Sequence, residues 1–371
     1  MVTVLDARLT HYRPGGIARY MTQLATTLPA LDPEQAYAVL QMWKQTAELG
    51  LPGNARRVNV YTPAHHRLER LALAGEIAVH TRGRAALVHS MDFIPPVSFG
   101  WRTVITIHDL TFLHYPQFLT RAARRYYNGQ IRVAVRQADL ILADSHATRA
   151  DIHALLGVDA SKTRTVHLGV DARFQPPGAD TVRAFTARYG LRRGYLLFVG
   201  TFEPRKNVAT LIQAYAELRK TLPAAPVLVL AGARGWLYEE TLALVDKHHL
   251  TEHVRWLENV PDIDLPALYA AAQALILPSH YEGFGLPVLE AMACGTPTII
   301  AERASLPEIG GDAALMIDPD DPATLTRALR RVLTDDSLHA TLAQRGLVRA
   351  RHFTWQRCAV ETLAAYRTLR G

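Results

Sequence analysis

SHYEGFGLPVLEAMACGTP, residues 279–297, decides how this chain is read. An apolar run, ALILPS, leads into it and predicts a buried strand ending at Pro278 and Ser279. Gly283 and Gly285 then crowd a short polar turn. Pro287 opens VLEAMA, with the proline placed for a first helical turn. Gly295 and Pro297 stop that helix, and TPTIIA predicts the next strand. Two carboxylates fall in this unit: Glu282 just past the first strand's carboxyl end, and Glu290 early in the helix. Open α/β sheets bind ligands in the crevice outside the carboxyl ends of their strands. A helix N-terminus there favours phosphate, while a carboxylate in the first turn can accept ribose hydroxyls. A capping acid beside an unrelated surface acid is the plainer alternative, but it leaves the density of glycine and proline unexplained.

EGFGLPVLEAMACGTP closely resembles the signature of retaining, nucleotide-sugar-dependent glycosyltransferases of family 4. Their hallmark is two glutamates separated by seven residues, matched here by Glu282 and Glu290. The resemblance implies the α/β glycosyltransferase-B fold: two Rossmann-like domains facing a central cleft, with a last helix crossing back onto the first domain. It implies a catalytic position for Glu282 and donor-binding positions for Gly283, Phe284, Gly285, Leu286 and Glu290.

A length of 371 residues favours two domains. A hydrophobic content of 49% and a charged content of 20% are those of an ordinary soluble protein. Two cysteines, Cys294 and Cys358, allow no disulfide framework and no Cys-based zinc cluster. MVTVLDARL reads as a first strand rather than a signal peptide, and no run is long enough to span a membrane. A reducing cytoplasm fits this composition. The net charge of +7 lies wholly in residues 1–170, where 19 Lys and Arg stand against 12 Asp and Glu. That excess points to an anionic partner, either a diphosphate or a membrane surface. Nucleic acid fits poorly, because there is no Cys/His finger, no RNP-like aromatic sheet and no dense basic stripe.

In chain order, VTVLD is a strand, and Gly15 and Gly16 then precede a helix, IARYMTQLATTL. Adjacent glycines there let backbone N–H groups approach a ligand, although an ordinary βα loop would look the same. The resemblance places this loop, flanked by Arg13 and Arg19, against the donor. TVITIHD is an apolar run that fits a strand buried on both faces, and it ends in His108 and Asp109. The resemblance gives His108 contact with the transferred sugar; Asp109 would orient His108 or the following loop. Arg121, Arg124, Arg125, Arg132 and Arg136 share one predicted helix, either a solvated face or a surface for an anionic membrane. Ser145 reads as a helix cap after the strand DLILADS, and TVHLG as a further strand. GVD, residues 169–171, resembles an interdomain signature, which gives domains of 1–173 and 174–352 and a returning helix at 353–371.

YLLFVG restarts the pattern, and TFEPRKN places Arg205 and Lys206 beside a helix N-terminus with Asn207 as its cap. Two cations there suit the two phosphates of a diphosphate, and Glu203 could partner them. The resemblance gives both cations that role, and gives the backbone at Glu258 and Asn259 contact with the base. ARGWLYEETLALVDKHHL predicts a further helix. Trp355 either anchors the last helix on the first domain or packs at its own domain's edge.

The implied reaction transfers a hexose with retention, without a resident cofactor or a metal, because Arg205 and Lys206 can carry the leaving group's charge. IHDLTFLHYP and ADLILADS resemble the mannosyltransferase-like bacterial branch, which favours GDP-mannose over UDP-glucose and a glycan or polyprenyl-diphosphate-linked acceptor. A non-hydrolysing nucleotide-sugar epimerase, a pyridoxal-phosphate phosphorylase and a carbohydrate-binding relative without turnover are the rival classes.

Overall fold

The structure is a computed structural model that describes residues 1–12, 15–233, 235 and 238–369. Arg13, expected beside the first glycine loop, lies outside the described residues, as do Arg234, Trp236 and Leu237 of a predicted helix. The chain divides into two compact units. One is Met1–Gly169 with Trp355–Gly371, and the other is Val170–Thr354. These limits stand against the expected 173 and 352.

In the first unit the strands are β1 (Val2–Asp6), β2 (Ala36–Met42), β3 (Ala55–Val60), β4 (Ala85–Ser90), β5 (Arg102–Ile107), β6 (Leu140–Ala143) and β7 (Thr163–Thr165). They pair in parallel in the order β3-β2-β1-β4-β5-β6-β7. The connecting helices are α1 (Gly16–Leu31), α2 (Glu69–Thr81), the short α3 (Thr111–His114), α4 (Arg121–Gln137) and α5 (His146–Leu156). Because helices cover such a sheet on both faces, its central strands are buried nearly throughout. All of β6 and all but the first residue of β5 are buried. TVHLG is corrected: the edge strand is Thr163–Thr165, and only the Val166 N–H goes on to bond Ala143.

The second unit repeats the plan. Its helices are α6 (Ala179–Tyr189), α7 (Val208–Thr221), α8 (Tyr238–Lys247), α9 (Leu265–Ala270), α10 (Leu286–Ala293), α11 (Leu306–Gly310), α12 (Pro322–Thr334) and α13 (Asp336–Ala350). Its strands β8 (Tyr195–Val199), β9 (Leu228–Ala231), β10 (Val254–Leu257), β11 (Ala272–Leu277), β12 (Thr298–Ala301) and β13 (Ala314–Ile317) pair in the order β10-β9-β8-β11-β12-β13. Both sheets therefore reverse direction once: between β1 and β4, and between β8 and β11. Such a switch point is where doubly wound sheets take ligands.

The last helix, α14 (Trp355–Arg367), belongs with the first unit. Trp355 is buried beside Tyr20 of α1, with ring centroids 6.4 Å apart. The Tyr366 hydroxyl meets Nδ1 of the buried His89 at 2.6 Å. Among the described residues no helix is long and apolar enough to cross a membrane.

Candidate active site

At the second unit's switch point the loop after β8 is bolted to the end of β11. Pro204–Lys206 form one 3-10 turn, and Asn207 follows in a left-handed conformation that asparagine tolerates. Asn207 occupies the N-cap position of α7, but its side chain does not cap the helix. Its Nδ2 donates instead to the carbonyls of Pro278 (3.1 Å) and Pro319 (2.7 Å), and the His280 N–H donates to the Arg205 carbonyl at 2.8 Å. The loop carrying the two cations is thus held by backbone groups of the neighbouring strand ends.

Both cations converge on Glu282. Lys206 Nζ donates to Oε1 at 2.6 Å and Arg205 Nη1 to Oε2 at 2.9 Å, while Ser279 Oγ adds a third bond to Oε1 at 2.7 Å. Lys206 and Glu282 are both buried. Burial pushes the Glu282 carboxyl up, but the Lys206 and Arg205 charges outweigh it and hold the group at about 2. Burial also pulls the Lys206 ammonium below its ordinary value, with Glu282 pulling the other way. Glu203, expected to partner both cations, reaches Arg205 alone, at 3.0 Å from Nε.

The turn that follows has little freedom. The Ser305 hydroxyl lies 2.8 Å from the carbonyls of both Glu282 and Phe284. Gly285 caps α10 at φ +111°, and a Cβ there would stand 2.9 Å from a Leu306 methyl. Phe284 and Leu286 are buried beside it. Glu290 lies one turn into α10 and is buried, and its Oε2 accepts from the Tyr269 hydroxyl at 2.7 Å. Its carboxylate is therefore tied to α9 rather than standing unsupported toward a ribose. Glu258 and Asn259 follow β10 and are exposed, with Asn259 left-handed at φ +54°.

In the first unit, Gly15 and Gly16 open α1 and are exposed. Gly15 has an extended backbone, and a Cβ would meet nothing within 4 Å. Nothing in the protein's own packing requires glycine there.

His108 follows β5, and both its ring nitrogens are engaged within the unit. Nδ1 lies 2.7 Å from Asp144 Oδ2, and Nε2 lies 3.0 Å from the Met91 carbonyl. Two acceptors require two N–H donors, so the ring is an imidazolium. Burial pushes its pKa down, but the Asp144 carboxylate outweighs this and raises it to about 9. Any contact of His108 with a transferred sugar would be made by a ring whose two nitrogens are both engaged. Asp109 serves its own loop, accepting from the Thr111 N–H at 2.9 Å, and the partner of His108 is Asp144. The parallel register that sets Ile107 beside Ala143 also sets His108 beside Asp144, and only that register would have revealed the pair. Ser145 caps α5, its Oγ accepting from the Thr148 N–H at 3.0 Å.

An ion cluster that sequence reasoning missed fills the first unit's switch point. Buried Arg8 donates through Nε and Nη2 to Asp6 (2.8 and 2.7 Å), through Nη2 to Glu69 (2.6 Å), and through Nη1 to the Thr62 carbonyl (2.9 Å). An acid at the end of β1 with an arginine two residues on was the available signal; the Glu69 partner, 61 residues away, was not legible.

The profile of glycosyl transferases group 1 matches residues 188–348, and that of glycosyltransferase family 4 matches residues 14–174. O-antigen chain mannosyltransferase B of Escherichia coli is 37% identical over 284 residues, covering 76% of this chain and 74% of that one. This chain belongs to glycosyltransferase family 4. Another relative is the D-inositol 3-phosphate glycosyltransferase of Salinispora arenicola, 37% identical over 95% of this chain and 87% of its own. The family 4 chain also superposes on the sucrose-phosphate synthase structure from Thermosynechococcus elongatus with a TM-score of 0.82 at 23% identity, over 99% of this chain and 98% of that one. The fold is glycosyltransferase-B. The activity is glycosyl transfer.

Proposed function

We propose that this enzyme is a retaining hexosyltransferase that moves mannose from GDP-mannose to a hydroxyl of a glycan or polyprenyl-diphosphate-linked glycan. The observation that carries the reading is the Arg205–Lys206 pair at the second unit's switch point, cross-linked by the buried Glu282. A diphosphate arriving there meets two fixed cations on a loop that cannot recoil, and they stabilise charge as the leaving group departs. No metal is needed for that task. The C1–oxygen bond to the diphosphate breaks, the acceptor oxygen bonds to C1 on the same face, and the acceptor proton passes to the departing diphosphate oxygen. Glu282 holds the cations in place and presents negative charge toward the sugar cation. Glu290, oriented by Tyr269, takes the ribose hydroxyls, and the backbone at Glu258 and Asn259 lines the base. In the first unit the His108 imidazolium acts as a fixed positive group on the sugar side, and Gly15 and Gly16 admit the substrate close to the backbone. Mannose as the sugar is supported by the mannosyltransferase relative.

The decisive experiment is calorimetry with GDP, UDP and ADP, followed by turnover with the matching sugar nucleotides. GDP should bind and GDP-mannose should turn over; UDP binding with UDP-glucose turnover would replace the donor. α4 offers five exposed arginines and no acid, which suits an enzyme held at the inner face of a membrane by anionic lipid. Pelleting with anionic liposomes should fall as salt rises, and equal pelleting with neutral liposomes would make α4 a solvated face.

A further inference from the structure

Asp144 is buried just past β6, and the roles above give it no part in the transfer. Its Oδ2 lies 2.7 Å from His108 Nδ1, while the Met91 carbonyl accepts from His108 Nε2 at 3.0 Å. Met91 directly follows β4, so the ring is clamped between the ends of both strands that flank β5. The His108 side chain is 10% exposed, and no lone pair is left on it to take a proton. The other groups around it do not replace Asp144. His89 on β4 is pushed down to about 3 by burial and then by the His108 charge, so it is neutral near pH 7. Burial pushes the Tyr20 hydroxyl of α1 and the Cys358 thiol of α14 up, and both stay neutral. The Tyr20 ring stands edge-on to His108, with centroids 5.0 Å apart. Asp92, after β4, adds negative charge around His108, while Asp109 and His167 bear on Asp144 itself. Burial alone would strip the second proton from the His108 ring, and Asp144 is the main charge that opposes it.

We propose that Asp144 is a positioning residue for the transfer: it keeps the His108 ring doubly protonated and fixed in plane, so that His108 meets the sugar as a charge and never as a general base. The inference rests on the reading above in which His108 stands on the sugar side. The test is the pH profile of kcat/KM on the full chain, with GDP-mannose or UDP-glucose, whichever turns over, together with nitrogen NMR of the His108 ring. In the unmodified enzyme the rate should hold through neutral pH and fall as pH rises through about 9, where the free enzyme's His108 loses its proton. Asp144→Asn still accepts from the Nδ1–H but loses the charge. The alkaline fall should then move down by about two pH units, which lowers kcat/KM about tenfold at pH 8 and little at pH 6. Asp144→Glu keeps the charge and should keep the fall near its original pH, whatever its absolute rate. Because Asp144 acts through His108, adding Asp144→Asn to His108→Gln should change the rate less than threefold. The ring should show two N–H groups at pH 8 in the unmodified chain and one in Asp144→Asn. An alkaline fall that Asp144→Asn leaves in place, an equal loss at every pH, or a full further loss in the double variant overturns the assignment. A single N–H on the unmodified ring overturns it without any kinetics. Absence of turnover with both sugar nucleotides overturns the donor reading instead, and the ring signals still decide whether Asp144 holds the second proton.

Discussion

At the second unit's switch point two cations, Arg205 and Lys206, share one buried carboxylate, Glu282. At the first unit's, one buried cation, Arg8, is shared by two carboxylates, Asp6 and Glu69. The strand order around the two points is the same, 3-2-1-4 counted within each unit. Topology therefore chooses the place, and the side chains gathered there choose the sign of the surplus charge. A surplus of cations suits a diphosphate; a surplus of carboxylates does not. Each cluster also tethers its own loop, so a substitution within either cluster should change binding and stability together.

The largest effects should come from removing the buried cations. Arg8→Met should cost about 3–5 kcal/mol, because it leaves two buried carboxylates uncompensated, and Lys206→Met up to about that much, because Glu282 keeps only Arg205. The second-site response should separate the two points. Glu282→Gln should restore much of the stability of Lys206→Met, since Glu282 is the lysine's sole carboxylate bond among the described residues. Asp6→Asn should restore less in Arg8→Met, because Glu69 stays charged beside the vacated site. Urea unfolding of the single and double variants measures both, and equal restoration at the two sites would break the comparison.

How far these clusters could be read from sequence follows from the distance between partners. Apolar runs marked β1, β8 and β11 at the switch points, and the motif from Ser279 to Pro297 marked Glu282 and Glu290. The bond from Lys206 to Glu282 spans 76 residues and that from His108 to Asp144 spans 36, so both depend on strand register. Asp144 stood in plain view beside Ser145 but had no role until β5 and β6 were paired. The Glu69 carboxylate was hidden differently: it opens an amphipathic helix, where an acid is ordinary.

A middle-sized effect belongs to pH. His108 has its folded pKa raised from 6.5 to about 9 by Asp144, against burial. The stability this pair adds is fully present below pH 6.5 and is lost as pH rises through about 9. Chemical denaturation from neutral to alkaline pH should show that loss in the unmodified protein and not in His108→Gln. Glu282, held at about 2, gives the second unit a different window: its contribution disappears only as pH falls from the ordinary carboxyl range toward 2. A His108→Gln variant that kept the whole alkaline loss would remove the imidazolium from the first unit's account.

The smallest change in stability should come from a glycine pair, one at each switch point. Gly285 is left-handed and pressed against Leu306, so Gly285→Ala should cost about 1–3 kcal/mol and disturb the turn that carries Glu282. Gly15 has an extended backbone and open space where its Cβ would go, so Gly15→Ala should change stability by less than about 0.5 kcal/mol. If Gly15 is small because substrate approaches the backbone before α1, the same alanine should lower kcat/KM at least tenfold while the melting temperature stays put. A thermal melt and initial rates on one preparation decide it. A substitution silent in both would leave the loop as an ordinary entry to α1, and one that lowered the melting temperature would mean the space beside Gly15 is not open in solution.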